Sequence, residues 1–332
     1  MNAEFQPIDL EIPPDLAGER LDRALARLLP EHSRSRIRGW IDAGEVECGG
    51  RRCRPSDTVD VGDRIRLRAA QAPAAGAAVE AEAIALDLVH RDREFFVIDK
   101  PAGLVVHPGA GNPRHTLQNA LLALDPRLAQ VPRAGIVHRL DKDTSGLLVV
   151  ARTLAAHTSL TRQLAARSVK REYLALCRGI PTGGGTIDRP IGRDRVDRLR
   201  MAVRADGRPA VTHYRVLQRY RAHALLRVTL ETGRTHQIRL HLAHARHPIV
   251  GDPLYGGRWQ RPRAAGEALV TALRAFQRQA LHAQRLTFEH PRTGERRTFE
   301  RPVPADFGGL LAALRRDTAA VEGAGPARRK GS

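Results

Sequence analysis

Asp141 and Asp143 stand in "IVHRLDKDTSG", and the apolar run "LLVVA" follows at once. A buried strand does not accept bare charge, so two carboxylates placed there need a partner or a task. A carboxylate paired with an arginine stays ionised near neutral pH and can act as a nucleophile or a base. Arg239 in "HQIR" can supply that arginine, and Tyr173 in "KREY" can supply a flat aromatic face and a hydroxyl for proton transfer. Arg139, two residues before Asp141, falls on the same face if the segment is a pleated strand. A lone aspartate in a turn is more often structural than catalytic, and Asp143 reads that way. The case for Asp141 rests on the set.

Other chemistries lack their residues. His236, His241, His244 and His247 lie close together in "RTHQIRLHLAHARHP", but at gaps of five, three and three, with Arg234, Arg239 and Arg246 among them. Those cations would repel a metal, so a structural or phosphate-facing segment is expected instead. No GxxxxGK[ST] cradle, no GxGxxG turn and no GxSxG elbow occurs. Cys177 sits inside an apolar strand pattern and reads as inert. No metal and no cofactor are expected.

The elements that must hold these residues follow from hydrophobic spacing. Leu21, Leu25, Leu28 and Leu29 recur at helical intervals in "GERLDRALARLLP". A second helix is expected in "SRSRIRGWIDAG", with Ser33 as N-cap, Ile37 and Ile41 on one face and Gly44 as its stop. Short strands punctuated by Gly49-Gly50 and Gly62-Asp63 should follow. Residues 70–83 are low-complexity and read as a linker. Beyond them, "LVHRDREFFVIDKP", "GLLVVAR", "EYLALCRG", "HALLRVTLETG" and "RLTFEHP" read as strands, with helices expected in "HTLQNALLAL" and "LAAHTSLTRQLAARS". Strands outnumber helices and do not alternate with them. The expected class is therefore α+β, with a mixed, mostly antiparallel central sheet and flanking helices. Residues 316–332 are expected to be a disordered basic tail.

Charge names the partner class. Lys+Arg 55 against Asp+Glu 36 gives a net charge of +19, and only Lys100, Lys142, Lys170 and Lys330 are lysines. Arginine forks match phosphate and stack on bases, so a nucleic acid is the expected partner. Against that partner, Tyr173 offers its face to an extruded base and Arg139 can fill the gap that a flipped nucleotide leaves. Aromatics at 4% argue against stacking as the main binding mode. No apolar run approaches the roughly 18 residues that span a bilayer. "MNAEFQPIDLEIPPDL" has no charged n-region before an apolar one, so no secretory leader is expected. Cys48, Cys53 and Cys177 form no CxxC, which fits a reducing compartment, and the cytoplasm is the expected location.

Residues 17–69, with Arg34, Arg36 and Arg38 clustered at the second helix, resemble the S4 RNA-binding domain in the pattern of "RLD", "SRS", "I", "G", "V" and "GD". "PRAGIVHRLDKDTSGLLVVAR" resembles the signature of the pseudouridine synthases that modify structured RNA. "ETGRTHQIRLHLAHARHPIVGDPLYGG", "LHAQRLTF", "DKPAGLVVHPGAGNPRHTLQNALL" and "PIGRDRVDRLRMAV" extend the likeness across residues 17–310. With an S4 module in front, the arrangement is similar to the D branch, which acts on the large ribosomal subunit. Asp99 in "VIDKP" departs from the family, where Asn is common.

The resemblance implies a catalytic domain over residues 84–315, an S4-like domain over 17–69 and an extension over 1–16. It implies that Asp141 is the essential aspartate, Arg239 its partner and Tyr173 the residue packed on the target base. Arg139 would enter the RNA stack, and Leu281 would line the base pocket. The implied reaction is the isomerisation of uridine to pseudouridine in 23S rRNA, in the helix 69 stem-loop. Free rRNA or an assembling large subunit would be the partner, and a monomer is expected. The alternatives are the same chemistry on another rRNA or tRNA site, or a non-catalytic assembly factor of the S4 type.

Overall fold

Leu21 and Leu25 are buried with Ile37 and Ile41, and their spacing produces helices α1 (Leu21–Leu28) and α2 (Arg34–Ala43). Gly44, at φ +79°, ends α2 in the left-handed conformation that a side chain would strain. The strands β1 (Ile8–Glu11), β2 (Val46–Cys48), β3 (Arg51–Arg52) and β4 (Arg64–Leu67) form an antiparallel sheet in the order β1-β4-β2-β3. Gly49 and Gly50, both at positive φ, make the two-residue turn between β2 and β3. These residues form one of two units in the computed structural model, which describes residues 7–29, 34–68, 79–109, 111–197 and 200–323 and divides after Glu80.

Two expectations shift here. Residues 8–16 are not an extension. β1 pairs with β4, and Ile12 and Leu16 are buried in the same core as Leu21 and Ile37, because the helices alone leave that side of the sheet uncovered. Ser33 and most of the expected linker, residues 69–78, lie outside the described residues.

The second unit is built on a nine-stranded sheet. Its strands are β5 (Asp87–Arg91), β6 (Phe95–Lys100), β7 (Ser145–Ala151), β8 (Lys170–Arg178), β9 (Gly185–Asp188), β12 (Val211–Arg219), β13 (His223–Leu230), β14 (Leu281–Glu289) and β15 (Arg296–Glu300). A separate hairpin consists of β10 (Ile191–Arg193) and β11 (Met201–Val203). The sheet runs β5-β6-β7-β14-β8-β13-β12-β9, with β15 added to β14. Among the described pairs, only β7 with β14 is parallel, so the mixed, mostly antiparallel α+β class is what forms.

β6 and β7 read as continuous apolar runs because both of their faces are covered. Phe96, Ile98, Leu148 and Val150 enter the main core with α3 (Leu117–Leu124), α6 (Glu267–Ala275) and α7 (Ala305–Gly323). Phe95, Val97, Leu147 and Val149 face the other way, onto Ala156 and Leu160 of α4 (Leu154–Ala165). α3 starts at a capping box between Thr116 and Asn119, and Thr153 caps α4.

The parallel seam decides where the chemistry can sit. Ser145 and Gly146 of β7 lie against His282 and Ala283 of β14, and Ala283 lies against Tyr173 of β8. A Cβ on Gly146 would stand 2.3 Å from the Ala283 carbonyl oxygen, so this close approach requires glycine. The chain before β7, the start of β14 and the middle of β8 therefore meet at the centre of the sheet.

The expected tail is partly structured. α7 carries residues 316–323 as helix, held by Asp317, which pairs with Arg221 at 3.0 Å and accepts from the Gly266 amide at 2.8 Å. A tail rich in small residues gave no periodic signal, and these polar contacts come from distant parts of the chain. Residues 324–332 lie outside the described residues.

Candidate active site

The segment before β7 is not a strand. Ile136 makes one antiparallel bridge to Val150, and residues 137–144 then leave the sheet. Arg139 and Asp141 consequently do not share a pleat; each is aimed by the loop instead. The loop leaves the ladder because its polar groups are taken up elsewhere. His138 Nε2 accepts from the Val149 amide at 3.1 Å, and the Thr144 amide donates to the Asp141 carbonyl at 3.1 Å. Gln279 donates to Thr144 Oγ1 at 3.0 Å, and Arg278 donates to the Asp143 carbonyl at 3.3 Å.

A further support is Lys100, which is fully buried. Its Nζ donates to the carbonyls of Pro101 at 2.7 Å, Leu104 at 2.9 Å and Lys142 at 2.9 Å. Three acceptors use all three N–H bonds of an ammonium. Burial pushes Lys100 down to about 7, against the pull of the Asp143 and Asp141 carboxylates.

Arg239 projects from α5 (Gln237–His244), which begins after His236 in the left-handed conformation at φ 55°. Its Nη1 donates to Asp141 Oδ2 at 3.0 Å, while Nε and Nη2 fork onto Asp252 at 2.7 and 2.9 Å. The Asp252 side chain is completely buried and also accepts from the amides of Leu254 and Tyr255 at 2.9 and 3.0 Å. Burial works against the Arg239 charge, but Asp252 and then Asp141 outweigh it and hold the guanidinium above its ordinary value. Burial alone would raise Asp252, and the Arg239 fork with the two amides more than reverses it. The guanidinium also lies 5.3 Å from the Tyr255 ring, whose hydroxyl meets His236 Nδ1 at 3.0 Å.

These groups open onto a cleft of about 940 Å³ that Asp141, Arg139, Tyr173, Arg239 and Leu281 line together. The Asp141 side chain is 17% exposed and therefore reachable from the cleft. Tyr173 and Leu281 are nearly buried and form an apolar wall. Burial pushes the Tyr173 phenol up; Arg171 opposes this and Asp141 adds to it, so the hydroxyl keeps its proton. His138 also lines the cleft. Burial and Arg171 push it down to about 3, so the ring is neutral, and its acceptor Nε2 places the proton on Nδ1.

Five residues singled out from the sequence thus meet in one place: Arg139, Asp141, Tyr173, Arg239 and Leu281. Asp143 is not among the cleft-lining residues. Arg34, Arg36 and Arg38 belong to the other unit. Arg38 is exposed and 3.9 Å from Asp42, while the side chains of Arg34 and Arg36 lie outside the described residues. The histidine cluster is dispersed. His241 bonds Thr212 Oγ1 at 2.8 Å and the Arg189 carbonyl at 3.0 Å, and His247 meets the Arg178 carbonyl at 3.3 Å. Among the described residues no group of three His, Cys, Asp or Glu side chains could hold a metal. Cys177 is fully buried, and burial pushes its thiol up to about 12.

Sequence reasoning missed Asp252, Lys100 and His138. Asp252 stood inside the motif "GDPLYGG" without a role, and its flanking Gly and Pro were the available signal for a fixed turn.

Comparison with known proteins gives the family. Residues 94–244 match the family model described as RNA pseudouridylate synthase, and residues 19–65 match the S4 domain. Over 313 residues the chain is 56% identical to the ribosomal large subunit pseudouridine synthase D of Pseudomonas aeruginosa, covering 94% of this chain and 97% of that protein. It is 50% identical over 301 residues to the protein of the same name from Escherichia coli O157:H7, covering 90% and 92%. Among solved structures, human RNA pseudouridylate synthase domain containing 1 is similar at a TM-score of 0.53 and 30% identity, covering 70% of this chain and 89% of that one. With more than nine-tenths of its length aligned at that identity, and with the matched segments forming the cleft, the chain belongs to the RNA pseudouridylate synthase family, with an S4 domain ahead of its catalytic unit.

Proposed function

We propose that this protein converts uridine to pseudouridine in 23S rRNA, in the helix 69 stem-loop, with Asp141 acting on a flipped-out uridine. The observation that carries the reading is Asp141, held at 3.0 Å by an arginine that is itself forked onto buried Asp252, at the floor of a cleft with an apolar wall. The names and coverage of the bacterial relatives support the large ribosomal subunit as the source of substrate. The S4 domain and the net charge of +19 support an RNA partner, whether free rRNA or an assembling particle.

The chain's residues divide the work. Extruding a uridine costs a few kcal/mol of stacking, which Arg139 offsets by filling the gap and Tyr173 with Leu281 by receiving the base. Arg239 orients the Asp141 carboxylate through the 3.0 Å bond from Nη1 to Oδ2. The carboxylate can then attack C1′, attack C6 or take the C2′ proton. By each route the C1′–N1 bond breaks, the uracil turns and C5 bonds to C1′; the bond from Asp141 to C1′ or C6 is broken again, or the C2′ proton is given back, and the C5 proton is lost while N1 gains one. Atoms balance without a co-substrate. We read the protein as a cytoplasmic monomer that needs neither metal nor cofactor.

Asp141→Asn should abolish pseudouridine formation while RNA binding stays within a few fold. Turnover by that variant would remove Asp141 from the chemistry. A pseudouridine map of rRNA and tRNA from cells lacking the protein tests the target: loss confined to helix 69 supports it, and loss at tRNA sites alone overturns it.

A further inference from the structure

The chain leaving the Asp252–Tyr255 turn forms a loop, residues 256–264, that is exposed over residues 257–261 and that the cleft does not use. Trp259 at its tip is 46% exposed, and the Arg274 guanidinium lies 4.5 Å from its ring centroid. A single exposed apolar side chain needs no explanation by itself. This one sits in a loop whose backbone is held from beneath by two arginines. Arg178 donates to the carbonyls of Gly256 and of Arg258, the latter at 3.0 Å. Arg221, tied to Asp317, donates to the carbonyls of Arg263 at 2.7 Å and Ala264 at 2.9 Å.

The loop is therefore ordered before any partner arrives, which lowers the entropy cost of binding. Arg261 is occupied by Glu267 at 2.6 Å, whereas Arg258 and Arg263 are exposed and have no acidic partner among the described residues. Two unneutralised arginines flanking an open indole on a rigid loop suit one class of ligand: an unpaired base between its phosphates. Trp259 is four positions after Tyr255, so the indole's backbone lies within about 14 Å of the Arg239 clamp's Tyr255, a span that a stem-loop bridges easily.

We propose that the loop at residues 256–264 is a second RNA contact, in which Trp259 stacks on an unpaired base next to the target uridine while Arg258 and Arg263 hold its phosphates. This deepens the RNA reading above and rests on it. One stacking residue is compatible with an aromatic content too low for a stacking platform.

The test uses the full chain and an RNA hairpin with an unpaired loop, compared with the same stem closed as a blunt duplex. Indole emission in the wild type minus that in Trp259→Phe isolates Trp259 from Trp40. The hairpin should quench this difference signal, and the duplex should leave it nearly unchanged. Trp259→Ala should weaken hairpin binding about five- to 100-fold with an unchanged melting temperature. Replacing Arg258 and Arg263 together by alanine should lower the salt slope of binding by about two. Unchanged emission and affinity on adding hairpin would overturn the proposal. So would an equal loss of hairpin and duplex affinity in Trp259→Ala, which would mean backbone contact without stacking. Neither readout needs turnover, so failure of pseudouridine formation bears on the catalytic reading alone.

Discussion

At the scale of single residues, Arg239 is the hinge of the site, because one guanidinium serves two carboxylates. The bidentate fork goes to Asp252, whose side chain is fully buried, and a single bond is left for Asp141, which is 17% exposed to the cleft. Asp252 thus sets the angle at which the carboxylate proposed to react is held. Asp252→Asn keeps the shape but replaces a buried anion by an amide, leaving Arg239 short of its main partner. Breaking a buried pair in this way costs about 3–5 kcal/mol, and misplacing a reactive group by about 1 Å costs on the order of 100-fold in rate. The variant should therefore melt well below the wild type and turn over at about 1% of its rate. Single-turnover kinetics and a thermal melt check both, and a rate within twofold of wild type would show that Asp141 does not need the clamp. Asp141, Tyr173 and Arg239 were legible because each lies in a local motif. Asp252 was not, because the Gly and Pro around it mark only a turn, and its role appears only in the fork it accepts from Arg239.

At the scale of elements, the loop of residues 137–144 is held by side chains where a strand would be held by a ladder, and Lys100 is the support that titrates. Its pKa falls from 10.5 to about 7 on folding, because burial outweighs the nearby carboxylates. Between those values the unfolded chain holds a proton that the folded chain has released. Lys100 by itself therefore makes the fold more stable as pH rises through that window. Function should move the other way. Losing the proton takes one of three N–H donors from the carbonyls of Pro101, Leu104 and Lys142, and the Asp141 loop loses part of its hold. Turnover should fall as pH rises above about 7, and Lys100→Arg, which stays charged, should shift that fall upward. A pH–rate profile from about pH 6 to 9 checks this, and an unchanged alkaline limb in the arginine variant would take Lys100 out of the control. Hydrophobic runs found the strands on either side of this loop, and the two-residue spacing of Arg139 and Asp141 was read as a shared pleat. That reading failed because a pleat needs a neighbouring ladder, which residues 137–144 do not have.

At the scale of the whole molecule, the two units share no core residue. The first has one core, built from Ile12, Leu16, Leu21, Ile37 and Ile65, and the second has three clusters in the sheet and helices beyond residue 94. Each unit has what it needs to fold alone. Deleting residues 1–80 should leave a cooperative melt and near-normal turnover at saturating RNA. It should also weaken rRNA binding by on the order of tenfold or more and flatten its dependence on salt, because phosphate contacts are removed. Filter binding across a salt series, beside a melt, separates the two effects. Equal modification of rRNA by the truncated and full chains would make the S4 domain dispensable.

Composition, spacing and local motifs were enough to suggest a basic RNA-directed protein, its two-part order, its α+β class and four residues of its cleft, while Leu281 came only through the family resemblance. All of these are properties of short windows or of summed charge, which the linear chain carries directly. Tertiary structure alone decided that Asp141 and Arg239, 98 residues apart, touch at 3.0 Å, and that Asp252 stands behind them. It also decided that residues 8–11 pair into the first sheet and that residues 316–323 are helix. Those outcomes depend on which distant surfaces meet; for the cleft, a parallel seam closed by Gly146 brings its segments together at the centre of the second unit's sheet.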